Sequence, residues 1–420
     1  MNKKIISFAA LVAGTLMVSA QNLSFQVTVT NDSKVGRLDE PVAINLKDVK
    51  GLDFAPKAAT LMCDGTRLAV QLDDLDGNFC NDELFFVTDL KAKESKTFDI
   101  TLQAQPISPT GGTEGSSRIW TALQIRDKKD LHPNVMKVEA PASSNIYNDI
   151  YMHGINIESD LVGYRIYFDE RQNLDLYGKK KRQLEIATTQ FYTTEEQLAE
   201  GYGTDVLWAG KAIGCGSFKK YVNGEPTNWT GDEQKIRGER IVTTGPLRTV
   251  VEVYDLGVKN GDNLYNVHEY YTLVAGHRDV KVDIYFEGDT KGKQFCTGVQ
   301  KVGVTAEDSV RMGHKSEGML RKDGVVASWG CDYPDMGKKQ LWAPEAIGMR
   351  AYIPTKYIKG QSESDLNYIY IVKPQDGELH YWTGFCCAKE IVGYKNSKEW
   401  FKSLDEWKVE CDKPVTVKIK

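Results

Sequence analysis

An all-β fold in two unequal parts is what this sequence predicts, and three observations carry the expectation. Runs that alternate apolar and polar side chains recur at strand length from one end of the chain to the other, as half-buried strands do. Helical periodicity is confined to two short stretches. A stretch rich in Pro, Gly and Ser, QPISPTGGTEGSS, offers almost nothing to bury and separates a short first part from a long second one.

Residues 1–20 carry Lys3 and Lys4, then the apolar run IISFAALVAGTLMV and a Val-Ser-Ala tripeptide ending at Ala20. This pattern reads as a secretory signal peptide, so the mature chain is expected in the periplasm or outside the cell. Cleavage before Gln21 leaves no Cys for lipid attachment, and no later apolar run is long enough to span a bilayer, so no membrane anchor is expected. Residues 21–104 contain LSFQVTVT, VAINL, ATLMC, LAVQL, ELFFV and FDITL, with turn residues between them about every eight to twelve positions. That cadence predicts an N-terminal β-sandwich of immunoglobulin-like type. Residues 105–117 are the linker. From 118 to 420 strand-like runs continue, among them YRIYF, LRTVVEVYDL, LYNVHEYYTLVAG, RDVKVDIYFEG, NYIYIVK and TVKIK. So many strands require large stacked antiparallel sheets. TTEEQLAEGY, with a Thr cap and following acids, predicts two helical turns, and SKEWFKSLDEWKVEC predicts a longer helix before the last strand.

The formal charge of −5 becomes −5 − 2 = −7 once the two signal lysines are removed, and its acids and bases are interspersed. Nucleic acid is therefore an unfavoured partner. The eight cysteines fit no metal spacing. Cys63 and Cys80 could staple a hairpin in an oxidising compartment or remain thiols, whereas Cys386 and Cys387 should leave opposite faces of one strand. No phosphate loop, zincin motif or nucleophile elbow is present.

The stretch GPLRTVVEVYDLGVKNGDNLYNVHEYYTLVAGHRDVKVDIYFEG resembles the strand meander of the galactose-mutarotase-like superfamily. There an arginine-bearing strand precedes a Tyr-Thr-Leu-Ala-Gly strand and a Val-x-Val strand. Over most of its length the chain also resembles an uncharacterised secreted bacterial family, a domain of unknown function in that superfamily. The marks are QLDDLDGNFCNDELFFV, ESDLVGYRIYFD, DLYGK and DVLWAGKAIGCGSF. The resemblance implies a galactose-mutarotase-like antiparallel β-supersandwich for 118–420. It also implies an association with breakdown of uronate-containing plant polysaccharides such as pectin. It brings no catalytic residues with it.

Candidate chemistry concentrates between His153 and Arg182. His153, beside a Gly and a strand, could act as acid or base near neutral pH or be a surface histidine. Arg165, Asp169 and Arg171 should form a charged stripe on one strand face, with Tyr164, Ile166 and Phe168 on the other. An arginine in such a stripe suits bidentate capture of a uronate carboxylate, against the alternative of solvated Arg–Asp pairs. Lys179 is the member of its basic run expected to point inward. In LYNVHEYY, Asn266, His268 and Tyr270 share a face that could line a cleft, while Glu269 belongs to the opposite set. His314 beside Lys315, His380 beside Tyr381, and Trp208 and Trp382 are candidate sugar contacts, a flat indole face being suited to stacking on pyranose carbon–hydrogen bonds. Asp74, Asp76 and Asn78 alternate as calcium-loop ligands do, but Phe79 stands where a turn glycine is expected, and a plain turn is the competing reading. No cofactor is otherwise expected.

Three functions fit these residues. The first is β-elimination on uronate-containing oligosaccharides: Arg165 or Arg171 neutralises the carboxylate, His153 or His268 takes the proton, and Tyr164, Tyr270 or Lys179 protonates the leaving oxygen. The second is hydrolysis by a carboxylate pair drawn from Glu158, Asp169, Asp205 and Glu269. The third is a sugar-binding or anomer-interconverting module. Bases and tyrosines outnumber facing carboxylate pairs, which favours the first.

Overall fold

A computed structural model describes residues 21–106, 117–129, 131–231, 233–303, 316–334 and 343–420. The signal segment 1–20, the linker residues 107–116, and His314 with Lys315 lie outside the described residues.

The expected all-β class is what the chain adopts: its strands assemble into several antiparallel sheets. In the first part, Asn22–Thr30, Ser95–Gln103, Ala58–Cys63 and Thr66–Leu68 form one sheet, and Arg37–Asn45, Glu83–Leu90 and Gln71–Asp73 form another. Alternation explains the packing. Val27, Val29, Phe98, Ile100 and Leu102 are buried, while Ser24, Gln26 and Thr28 face outward and hydrogen-bond to Thr101, Asp99 and Thr97 across the strand pair. Val42, Ile44, Leu84 and Phe86 close the sandwich from the second sheet, with Phe86 and Phe98 at 4.9 Å between ring centroids.

The long part is built on a nine-stranded sheet whose order is Glu317–Leu320, Val325–Asp332, Glu345–Tyr352, Glu378–Cys387, Asp279–Gly288, Asn263–Val274, Arg248–Asn260, Ile236–Thr244 and Lys137–Pro141. Its inner face, carrying Val251, Val253, Tyr271, Ile284 and Tyr381, is buried against two five-stranded sheets. One of these contains Ile119–Ile125, Ile150–Ser159, Val162–Tyr167, Leu174–Gly178 and Thr204–Asp205. The other contains Glu225–Thr227, Lys219–Val222, Phe295–Gln300, Asn367–Val372 and Ile358–Glu363. On its outer face the nine-stranded sheet is covered at one end by the helix Ser397–Asp412, which buries Trp400, Leu404 and Trp407 over Val325, Ala327, Trp329 and Tyr352. Both expected helices are present. Glu195–Glu200 starts with a capping box between Thr194 and Gln197, and Asn396 caps the terminal helix through the Glu399 N–H.

Local sequence gives no sign of how the two parts join. The last strand, Thr416–Ile419, leaves the long part and pairs with Asn22–Thr30 as an edge strand of the N-terminal sheet. Arg248 reaches from the long part to Asp73 and Glu83, and one apolar cluster runs without a break from Val27 to Cys387. No disulfide joins the eight cysteines, all of which lie among the described residues; Cys386 packs near Trp400 and Cys387 enters the main core, on opposite sides of their strand. The Asp74–Asn78 segment is a tight turn. Asp74, Asp76 and Asp82 bring carboxylate oxygens within 4.8 Å of one another, but these accept the N–H groups of Leu75, Gly77, Asn78 and Phe79, and the Asn78 side chain is occupied within the turn.

Candidate functional site

The site is built around a break in strand regularity. Ile150–Ser159 pairs with Ile119–Ile125 in two registers, with the shift falling between Tyr151 and Asn156. At that bulge Met152 and His153 adopt φ of 56° and 66°, conformations that L-residues with side chains seldom hold, each at a cost of order 1–3 kcal/mol. Gly154 is required next, because a Cβ there would run into the carbonyl oxygen of Ile166. The bulge sets the His153 ring parallel to Tyr147, 4.1 Å between centroids, and joins its Nδ1 to the Tyr147 carbonyl at 3.1 Å. A carbonyl only accepts, so Nδ1 carries the proton and Nε2 is left as the basic nitrogen. Burial, with the Arg165 and Arg126 charges, lowers the pKa of His153, and the imidazole is neutral at pH 7.

Around it, aromatic rings and charges alternate on the outer face of the same five-stranded sheet. Arg165 and Asp175 are register partners, so both leave this face, and Tyr177 places Asp205 beside them in the next pairing. Every nitrogen of the buried Arg165 guanidinium is engaged: Nε with Asp175 at 3.1 Å, one terminal nitrogen with Tyr192 at 3.0 Å, the other with Tyr167 at 2.7 Å and Asp175. Asp205 lies 3.9 Å from the same guanidinium, is partly exposed, and has its pKa raised well above the usual aspartate value by burial and the Asp175 charge. Arg171, about one-third exposed, holds Asp169 at 2.5 Å and lies 5.0 Å from the Tyr167 ring and 6.0 Å from Tyr147. A chain of contacts thus connects a neutral imidazole, a cation reachable from solvent and a carboxyl that holds its proton more strongly than an ordinary aspartate.

The structure brings His153, Arg165, Asp169 and Arg171 together and divides them from the other candidates. The strand stripe is interrupted, since Val162–Tyr167 ends before Asp169, yet Asp169 and Arg171 return to the cluster through the following turn. Tyr164 is not at a site: it is buried on the inner face, its ring edge-on to Phe385 at 5.2 Å and its hydroxyl bonded to the Arg278 carbonyl. Lys179 points inward as expected, but its ammonium is fully occupied by Glu158 at 2.5 Å and by the Ser159 and Gln183 carbonyls at 2.6 Å. Burial pushes Lys179 down and Glu158 up, and Glu158 also accepts the Glu185 and Ile186 N–H groups, which makes this pair a structural anchor.

His268 and Tyr270 share a face, but it is the outer face of the nine-stranded sheet, turned away from His153. Register places Glu252, Tyr270, Asp283 and His380 in one row, and Tyr254, His268 and Tyr285 in the next. His268 Nδ1 is 2.7 Å from Glu252, His380 Nδ1 is 2.9 Å from the Tyr357 hydroxyl, and Trp382 stacks on Tyr352 at 5.8 Å. The opposite residue of that strand, Glu269, points inward. It accepts from Tyr271 at 2.7 Å, burial raises it to about 8, and burial lowers the nearby Lys219 to about 8. Trp208 is exposed three residues beyond Asp205. Sequence reasoning missed Tyr147, Asp175 and Tyr192. Asp175 was within reach, because LDLYG alternates like a strand and pairs with the Arg165 strand; Tyr147 and Tyr192 come from irregular segments that give no such signal.

A family model described as domain of unknown function (DUF4861) matches residues 29–417. No curated protein matches the chain. Among solved structures, similarity is found to a protein in glycosyl hydrolase family 38 from Enterococcus faecalis, at 8% identity and a TM-score of 0.45, over 94% of this chain and 47% of that one. An alpha-mannosidase from Enterococcus faecalis aligns at 8% identity and a TM-score of 0.44, over 94% and 46%. A "putative aldose 1-epimerase" from Klebsiella pneumoniae aligns at 8% identity and a TM-score of 0.31, over 70% and 96%. The chain spans about half the length of the first two structures.

Proposed function

The chain belongs to the DUF4861 family, and from that premise and the cluster around His153 we propose that it is a carbohydrate-active enzyme that cleaves uronate-containing oligosaccharides by β-elimination. One observation carries the reading: a neutral imidazole, a partly exposed arginine and a carboxyl with a raised pKa are held in one contact network beside aromatic rings. In this reading Arg171 exchanges Asp169 for the substrate carboxylate and acidifies the neighbouring carbon–hydrogen bond. His153 Nε2 takes that proton, and Asp205 delivers its own to the leaving oxygen. Tyr147 and Tyr167 offer ring surface to the sugar. Arg165 holds the network in place without touching substrate, since its donors are already engaged.

Hydrolysis by paired carboxylates fits less well. Asp175, the partner of Asp205, is buried and bound by Arg165 and Tyr167, which leaves it no place for water or a sugar. The N-terminal segment, read as a secretion signal, would put the reaction in the periplasm or outside the cell.

Incubation with polygalacturonate or rhamnogalacturonan fragments tests the proposal. Elimination creates a conjugated double bond and an ultraviolet absorbance; new reducing ends without that absorbance mean hydrolysis, and affinity without either means binding alone. His153→Ala should abolish the absorbance while leaving affinity for the fragments. Full turnover in that variant removes His153 from the mechanism.

A further inference from the structure

Away from the His153 cluster, a hollow of about 350 Å³ opens at one end of the second five-stranded sheet. Four of its lining residues are lysines: Lys291, Lys293, Lys359 and Lys373. They come from separate places in the chain. Lys291 and Lys293 lie in the connection between Asp279–Gly288 and Phe295–Gln300, Lys359 lies in the strand Ile358–Glu363, and Lys373 follows the strand Asn367–Val372. Register brings them to one end, because Val372 pairs with Phe295 on one side and Ile358 on the other. Lys359 is the extra residue of a bulge, falling between the Ile358–Val372 and Gly360–Ile371 pairings, and a bulge re-aims the side chain it carries.

No acid lines the hollow, and among the described residues none of the four lysines has a carboxylate partner. The nearest acid along the chain, Asp289, is held by the Lys291 N–H at 2.8 Å and the Asn263 side chain at 2.9 Å. Elsewhere on this net-acidic chain some surface lysines pair with a nearby acid, as Lys137 does with Glu139 and Lys281 with Asp283. Four uncompensated cations in one concavity repel one another, and an anion relieves that repulsion. Ile371 and Pro374 add apolar surface to the lining, which suits the carbon–hydrogen faces of sugar rings.

We propose that this hollow binds an acidic glycan through its carboxylates, as a second subsite for the polymer whose uronate linkage the His153 cluster cleaves. The choice of a uronate polymer rests on the proposed function; the preference for an anionic over a neutral glycan rests on the hollow alone. Binding of the intact protein to polygalacturonate and to neutral galactan, by titration calorimetry at low and at raised salt, tests it. The expected result is binding of polygalacturonate only, weakened by salt as a set of exposed charge contacts must be, with Lys359→Gln/Lys373→Gln at least about tenfold weaker and Lys359→Arg/Lys373→Arg near the parent. Unchanged affinity in the glutamine variant, equal binding of galactan, or no binding of polygalacturonate by the parent overturns it. A parent that binds but does not cleave, with the glutamine variant losing affinity, leaves the hollow assigned and the β-elimination reading rejected.

Discussion

His153 and Asp205 are displaced in opposite directions, and the directions fix a pH profile. Burial holds the imidazole pKa below its usual value, so the base is ready above that point; burial and Asp175 hold the Asp205 proton on well past the usual aspartate value. Turnover should therefore rise with pH as His153 loses its proton, below about 6.5, and fall at higher pH as Asp205 ionises. Asp205→Asn should lose about 10²-fold or more in kcat together with the descending limb of the profile. A descending limb that persists in Asp205→Asn assigns the acid elsewhere. Lys179 makes the contrasting case. Its inward orientation was legible from the neighbouring glycine, but its role was not, since the partner Glu158 lies on another strand. Lys179→Met leaves a buried carboxylate unpaired and should cost about 3–5 kcal/mol of stability in urea unfolding, with kcat of the remaining folded enzyme little changed.

Among the elements, the terminal helix was the most legible because every signal for it is local. Asn396 caps it, and Trp400, Leu404 and Trp407 repeat at helical spacing on the buried face. Leu404→Ala should lower unfolding stability by about 2–5 kcal/mol, and Lys402→Ala, on the exposed face, by less than about 0.5 kcal/mol, which equilibrium denaturation separates. The strand Asn263–Val274 shows where local reading stops. Alternation correctly separates His268 and Tyr270 from Glu269 and Tyr271, yet both sets are polar, and only the strands packed against them decide which is inside. The set that carries His268 faces outward because the two five-stranded sheets cover the other side. The bulge at His153 was equally hidden: pairing with Ile119–Ile125 in two registers is a property of two distant segments.

At the scale of the whole molecule, a histidine couples the two parts of the chain. His277, in the long part, sets Nε2 2.9 Å from the Asp39 carbonyl in the N-terminal part, with Asp279 at 3.9 Å from Nδ1. Burial opposes its charge, but Asp279, the Asp39 carbonyl and Glu40 outweigh it and raise the pKa to about 9; burial likewise opposes the Asp279 charge, and His277 with Arg350 lowers that group to about 2. The folded-state pKa of His277 exceeds its unfolded value, so its contribution is complete below about pH 6.5 and is lost as pH rises through about 9; at most it amounts to about 3 kcal/mol. Asp279 has the reverse sign: its contribution is present above about pH 3.9 and is lost as pH falls through about 2. Both are in force between those limits. Unfolding free energy measured at about pH 6 and about pH 9 should therefore fall for the natural protein by more than for His277→Gln. Parallel losses in the two proteins would show that the junction between Asp39 and His277 does not carry a charge in the folded state.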